Sequence, residues 1–394
     1  MLRVNGDRLL ARLRELARIG ATPDGGVQRL AFSADDVAAR QIVAARMMEA
    51  GLHVRADAVG NTIGSSGQPG PSIVLGSHTD TVPNGGRFDG ALGVVAAIEC
   101  AQALGETGFA TALNIVNFQA EECGVRGSRA WTGALREEEI TEAHDAIRAV
   151  GGAPDRLDTA RRLPGELRAY LELHIEQGPR LEDAGVQIGV VSGILGMRRL
   201  TVLLTGEAAH AGATPMARRR DALLAAAQLT VAVNETVRNP AGESVATVGR
   251  MTVEPNASNV IAGRVELSID VRALDSAALA ALVEELHACA GRIALETGVG
   301  IECSDLGGVP PVAADAAVMA AIEQAAAGLG LSHQRLISHA VHDASLVGQL
   351  APMGMVFVPS VGGLSHTPHE LTHDADCLNG ANVLLNAARL LRAE

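Results

Sequence analysis

Ile73-Val-Leu-Gly-Ser-His78-Thr-Asp80-Thr-Val-Pro-Asn-Gly-Gly-Arg-Phe-Asp89-Gly90 is an apolar run that breaks into a loop of glycine, proline and carboxylates. A second apolar run, Val94-Val-Ala-Ala-Ile98, follows at once. The first run is short and bounded by turn residues, which predicts a strand over 73–77, and the second predicts a helix. A strand feeding a glycine-rich loop and then a helix is the unit of an α/β layer. The loop carries His78, Asp80 and Asp89. Imidazole with carboxylate is ligand chemistry for zinc and similar divalent cations. Asp80, two residues from His78, is placed to hold that ring's other nitrogen.

The pattern continues on both sides. Asp7–Ile19 has leucines at helical spacing, and Ser33-Ala-Asp-Asp starts a helix that runs to Met48. Strands are expected at 53–56, 113–118, 169–175 and 187–191, alternating with helices, which predicts a largely parallel sheet. Near Gly196 the order changes. A strand at 199–205, a helix at 221–233, strands at 245–253 and 264–271, a helix at 277–297 and a strand at 300–304 give β-α-β-β-α-β, a split βαβ layout. The α/β pattern then resumes with a helix at 314–329, a strand at 355–359 and a helix at 380–391. The expected organisation is one α/β domain, 1–195 with 310–394, interrupted by a smaller domain at 196–309.

The chain has 394 residues, 47% of them hydrophobic but only 2% aromatic, so the core rests on Ala, Val, Leu and Ile. A net charge of −13 argues against a nucleic-acid partner and gives no polybasic membrane signal. The five cysteines are odd in number and form no CxxC pair, which points to a reducing, cytoplasmic setting. No signal peptide or membrane-length apolar run is evident.

Further candidates fall at expected strand ends. Glu121-Glu122 follows the strand at 113–118. His174 lies in Leu171-Glu-Leu-His-Ile-Glu-Gln-Gly178, and His366 and His369 in Gly363-Leu-Ser-His-Thr-Pro-His-Glu370. Ligands of open α/β sheets gather beyond the carboxyl ends of strands, so these side chains can converge. Spacing alone assigns none of them to a metal.

Taken in order, His78-Thr-Asp-Thr, Gly86-Arg-Phe-Asp-Gly90, Glu121-Glu122, His174-Ile-Glu-Gln-Gly178, His210-Ala-Gly-Ala-Thr-Pro-Met216 and Ser365-His-Thr-Pro-His-Glu370 resemble the dinuclear metallo-amidases related to zinc aminopeptidases and aminoacylases. Within these the chain is most similar to the branch of L-amino-acid carbamoylases, β-ureidopropionase, allantoate amidohydrolase and ureidoglycolate amidohydrolase. Histidine at 174, where peptidase relatives carry a carboxylate, and Gln177 resemble that branch. The resemblance implies an α/β catalytic domain, with a mixed, mostly parallel sheet and helices on both faces, and an inserted ferredoxin-like lid that also dimerises. It implies two divalent metal ions, zinc foremost, with manganese, nickel or cobalt as alternatives. Asp89 would bridge them, His78 and His174 completing one and Glu122 and His366 the other. Asp80 would orient His78, and Glu121 would be the general base. His210 would stabilise an oxyanion, while Asn259 and Arg272, with Gln177, would hold a small carboxylate-bearing ureido or amide substrate. The lid residues would complete the site of the partner in a homodimer. His342 and Glu370 are expected just behind the ligands.

Two departures stand out. The family's Ser-Gly-Ala-Gly-His-Asp reads Ser338-His-Ala-Val-His342-Asp343 in this chain, and Cys123 follows the glutamate pair. The leading expectation is hydrolysis of N-carbamoyl-L-amino acids. Val82-Pro-Asn-Gly-Gly-Arg87 leans toward allantoate or ureidoglycolate instead. His174 disfavours an aminoacylase or dipeptidase, and Glu121 disfavours a binding protein without turnover.

Overall fold

The apolar run at Ile73 becomes a strand buried along its whole length. The computed structural model describes residues 1–238 and 244–392. The strands are β1 (His53–Ala56), β2 (Thr62–Ser65), β3 (Ser72–His78), β4 (Leu113–Phe118), β5 (Leu167–Ile175), β6 (Ile188–Ile194), β7 (Gly196–Thr205), β8 (Ala209–His210), β9 (Val245–Glu254), β10 (Val260–Ile261), β11 (Arg264–Ala273), β12 (Gly300–Val309), β13 (Val312–Ala313), β14 (His333–Ser338) and β15 (Met353–Val358). The helices are α1 (Gly6–Leu16), α2 (Ala34–Glu49), α3 (Ala91–Glu106), α4 (Arg126–Thr132), α5 (His144–Ala149), α6 (Arg180–Ala184), α7 (Ala222–Thr236), α8 (Ser276–Thr297), α9 (Ala316–Gly328), α10 (Asp343–Val347) and α11 (Asp374–Leu390). Two compact units result, 1–193 with 313–394, and 194–312.

In the first unit the sheet order is β1-β2-β4-β3-β5-β15-β6-β13, with β14 also on β6. The central strands β4, β3, β5 and β15 are parallel, while β2 pairs antiparallel with β4, and β6 with β15. Strands buried on both faces need apolar residues at every position, which is why β3 and β15 read as continuous runs. Helices cover both faces. On one, α11 packs on Leu173 through Gly380. On the other, Phe118 meets both Tyr170 and Trp131 of α4, and Glu172 accepts the Ala344 N–H of α10. Among the described residues no helix is long and apolar enough to cross a membrane.

The second unit is a four-stranded antiparallel sheet, ordered β12-β7-β11-β9, with α7 and α8 against it. Alternation along β11 buries Val265, Leu267, Ile269, Val271 and Ala273 and turns Arg264, Glu266, Asp270 and Arg272 to the other face. Numbered within the unit, the order is 4-1-3-2.

Some boundaries differ from expectation. β2 contains one large apolar residue and β14 opens on His333-Gln-Arg, so neither carries a strand pattern. α11 begins at Asp374 rather than Gly380. Its first turn is polar, with Asp374 and Asp376 where carboxylates favour a helix N-terminus. β12 continues past Ser304 to Val309 through a register shift between Asp305 and Gly308, which the glycine pair conceals in sequence.

The helix α2 is tied to the strand ends by a buried ion pair. Arg40 Nε donates to Asp36 Oδ1 at 2.9 Å, and its other nitrogens reach the carbonyls of Gly60, Asn117 and Phe118. Asp36 Oδ2 accepts from Gln119 Nε2 at 2.7 Å and Phe32 N at 2.9 Å. Both side chains are 1% exposed. Arg40→Met strands the Asp36 charge in the interior and should cost about 3–5 kcal/mol in urea unfolding. Asp36→Asn combined with Arg40→Met should cost much less than the sum of the single changes; strict additivity would show that the pair is not coupled.

Candidate metal centre

The parallel strands share one direction, so their carboxyl ends lie along one rim of the sheet. His78 is the last residue of β3 and pairs with Phe118, the last of β4. Glu121 and Glu122 come three and four residues beyond Phe118. His174 sits near the end of β5 opposite Phe357 of β15. His366 lies on the loop after β15, in the left-handed region at φ 58. Asp89 comes from the loop between β3 and α3.

Asp89 is the meeting point. Its Oδ1 lies 3.2 Å from His174 Nε2 and 3.5 Å from His78 Nε2. Its Oδ2 lies 3.3 Å from His366 Nε2, which is in turn 3.5 Å from Glu122 Oε1. Two groups with metal-binding spacing follow, His78–Asp89–His174 and Asp89–Glu122–His366, and both contain Asp89. The first is buried; His366 in the second is 48% exposed at its side chain. A third group, Glu172–His174–His342, has similar spacing. There Glu172 accepts from Ser77, Tyr170 and Ala344, and His342 Nε2 is on Ser338 Oγ, so these atoms are already engaged.

The surroundings fix this arrangement. Gly90 has φ 60, and a Cβ there would lie 2.5 Å from His78 Cε1. Glu370 accepts the N–H groups of Phe88 and Asp89 at 2.8 and 3.1 Å, and a Cβ on Gly86 would lie 1.9 Å from its Cδ. Gln177 Nε2 and Ser365 Oγ both donate to Asp89 Oδ2, at 2.7 and 2.9 Å. Gln177 Oε1 is buried with no donor among the described residues, an acceptor that a bound donor or a cation would satisfy. The donor set and this orphaned oxygen fit divalent metal ions.

Asp80 meets His78 differently from the expectation. Its backbone carbonyl, not its carboxylate, is the close partner of Nδ1, at 3.0 Å against 3.7 Å. The carboxylate accepts the backbone N–H groups of Glu121 and Glu122 at 3.2 and 3.1 Å and so shapes the turn that presents them. His174 Nδ1 is likewise on a carbonyl, that of Ile175, at 2.9 Å. His342 packs edge-on against His174, with ring centroids 4.6 Å apart. His369 is exposed and takes no part.

Several contributors carried no local signal. Arg29 is buried and donates to the carbonyls of Thr79, Leu16 and Ile19, fastening the residue between His78 and Asp80 to the end of α1. Asp343 accepts from Ser128 at 2.6 Å, and with Glu172 forms a buried acidic layer beneath the histidines.

In the second unit Val260 pairs with His210, which brings Asn259 beside that histidine, and the Asn259 carbonyl accepts the Ala211 N–H. His210 Nδ1 accepts from the N–H groups of Gly212 and Ala213, so Nε2 carries the ring proton. Arg272 is not with them. It pairs with Met197, while the His210 ribbon follows the end where Arg264 pairs with Thr205. Eight residues of strand separate those ends, roughly 27 Å. Arg272 is on Asp270 at 2.8 Å.

The family profile described as "Peptidase family M20/M25/M40" matches residues 74–390. The chain belongs to that family. It is 41% identical over 398 residues to an N-carbamoyl-L-amino acid amidohydrolase of Geobacillus stearothermophilus, covering 97% of each chain. It is 38% identical to an allantoate amidohydrolase of Bacillus subtilis, covering 91% of this chain and 90% of that one. A hydantoinase/carbamoylase family amidase from Burkholderia multivorans has a similar crystal structure, with TM-score 0.88, 38% identity and coverage of 100% and 99%.

The electrostatics of this M20/M25/M40 centre follow from crowding charges in the interior. Burial opposes the Asp89 carboxylate, but His174, His366 and His78 outweigh it and hold its pKa well below the ordinary value. Burial pushes Glu121 well up, and burial with the Asp89 charge takes Glu122 up to about 7. The hydrogen bond to Asp89 takes His366 up to about 9. Burial works against charge on His78, yet Glu121, Asp89 and Asp80 raise it well above 6.5; Asp89 overcomes burial at His174 in the same way. Burial, with His174 alongside, drives His342 well down, so that ring is neutral.

At neutral pH the cation-free cluster therefore holds protons on ring nitrogens that a cation needs. Binding must expel them, and affinity must fall as pH falls. Chelator-treated protein titrated with Zn²⁺ or Mn²⁺ at pH 7 should give heats that depend on buffer ionisation enthalpy, with about one or more protons released per cluster. Buffer-independent heats would remove this account. Two ions touching Asp89 in a metal-loaded crystal would complete it, whereas one well-occupied ion remote from Asp89 would exclude a shared ligand.

Proposed function

We propose that the protein is a metal-dependent amidohydrolase that cleaves the carbamoyl C–N bond of N-carbamoyl-L-amino acids, giving amino acid, ammonia and carbon dioxide. The observation that carries this reading is Asp89, which turns one oxygen to each of two histidine-containing groups, with Glu121 buried beside them. The end-to-end similarity to an N-carbamoyl-L-amino acid amidohydrolase supports the substrate class. His78, His174, Glu122 and His366, with Asp89 between them, would hold two divalent cations, zinc foremost. Such cations supply Lewis-acid polarisation of the ureido carbonyl and lower the pKa of water.

This chain's residues do the rest. Glu121 Oε2 stands 3.7 Å from His78 Nε2, and burial makes its carboxylate basic enough to take a proton from water and pass it to the leaving nitrogen. Gln177 holds Asp89 through its amide nitrogen and offers its unpartnered oxygen to a ureido N–H. His210 Nε2–H is a donor suited to a developing oxyanion. Asn259 and Arg272 suit a substrate carboxylate, Arg272 by its fork. The 194–312 unit acts in this reading as a ferredoxin-like lid and dimerisation domain. Its His210–Asn259 pair and Arg272 stand at opposite ends of one sheet. They serve a single substrate when two copies contribute, which favours a homodimer.

Allantoate or ureidoglycolate is the second reading, favoured by Val82–Arg87 and by the 38% identity to an allantoate amidohydrolase. Ammonia release from a panel of carbamoyl amino acids, β-ureidopropionate, allantoate and acetyl amino acids separates the two, and turnover of the acetyl compounds alone would overturn both.

Glu121→Gln should keep its cations and lose about a hundredfold or more in kcat, because proton transfer is removed. Near-normal turnover at full metal content would assign the proton to another group. Mixing inactive His210→Ala with inactive Glu121→Gln tests the shared site. Heterodimers should regain up to about half the activity per site, since one of two sites then has both groups intact. No recovery despite proven subunit exchange would confine His210 to its own subunit or exclude it from the chemistry.

A further inference from the structure

His339 stands where the resembled family shows glycine, and nothing in the chemistry above uses it. It lies on the loop between β14 and α10, three residues ahead of His342, whose ring packs on His174. Its Nε2 is 2.8 Å from Arg180 Nη2. Arg180 is the first residue of α6, three residues beyond Gln177, whose amide is on Asp89. The Arg180–His339 contact thus joins two loops that are each anchored on the metal centre. Gly363, on the loop that leads to His366, packs against Pro179 beside them.

Arg180 is exposed, and Glu176 is the acid that feels its charge. The neighbouring acid, Glu176, has both oxygens on backbone groups, the N–H of Arg180 at 2.9 Å and of Leu181 at 2.8 Å. Among the described residues no carboxylate forms an ion pair with the Arg180 guanidinium. His339 accepts from Nη2, so it braces the guanidinium without cancelling its charge. In a protein of net charge −13 a dianionic substrate is repelled overall, and a local cation beside the centre reverses that at one point.

We infer that Arg180, braced by His339, is a specificity-determining residue that selects ureido substrates with a second carboxylate on the side chain, the N-carbamoyl derivatives of acidic amino acids. The inference rests on the proposed function. Its chemistry is the match of a planar guanidinium fork to a carboxylate. Selectivity is a ratio of kcat/KM values, and a solvent-accessible contact of this kind supports a ratio of about two- to fivefold.

The test uses the metal-loaded protein and two substrates of nearly equal shape, N-carbamoyl-L-glutamate and N-carbamoyl-L-glutamine. The wild type should favour glutamate by about fivefold in kcat/KM, chiefly through KM, and the preference should shrink with added salt. Arg180→Gln should bring the ratio to about one, Arg180→Lys should retain part of it, and His339→Gly should lower it severalfold. A wild-type ratio near one, or a ratio unchanged in Arg180→Gln, overturns the inference. So does an equal loss on both substrates, which would put Arg180 on their common α-carboxylate or in the scaffold. If the protein turns over no ureido compound, the proposed function falls and this inference with it. Turnover without discrimination removes the inference alone.

Discussion

The centre depends on a single carboxylate being held so that one oxygen meets His78 and His174 and the other meets His366. Asp89 is buried, and an unsupported buried charge of this kind would take up a proton or swing toward water. It does neither because imidazoles stand on both sides and because the backbone around it is clamped by Glu370. The close approach of Gly86 to Glu370 and of Gly90 to His78 follows from that clamp. Neither position tolerates a side chain without displacing Glu370 or His78.

Four parallel strands make the geometry possible. Their shared direction puts the ends of β3, β4, β5 and β15 along one rim, and each contributes one element of the cluster. Beneath the rim lies a hydrogen-bonded acidic layer of Glu172, Asp343, Ser77, Tyr170 and Ser128. Burial raises the pKa of both Glu172 and Asp343, and Glu172 adds to the pull of Asp89 on the His174 proton. Arg29 and Arg40 do the equivalent work on the backbone, each gripping carbonyls at a strand end.

Much of this is legible in the amino-acid sequence. Ser33 caps α2 through Asp36 N, and β1 and β4 fall on the residues their patterns mark. The ordered motifs name His78, Asp89, Glu122, His174 and His366, which the fold gathers. What the sequence hides is non-local or depends on orientation. Arg29 meets partners up to fifty residues away, and an isolated arginine announces no such contact. That Asp80 faces His78 with its carbonyl is a backbone turn invisible in composition. Strand periodicity tells which face Arg272 occupies but not which end of the sheet, so its separation from His210 emerges only from the register.

The unequal shelter of the two groups around Asp89 bears on exchange with the medium. His78 and His174 are almost inaccessible, whereas nearly half of the His366 side chain is open. A cation held by His78, Asp89 and His174 would lie among buried side chains, while one held by Asp89, Glu122 and His366 would be open to solvent on the His366 side. The inner position would therefore exchange its cation more slowly than the outer one. A centre of this kind would pair a slow position with a fast one, so its metal content would depend on the order in which cations were supplied.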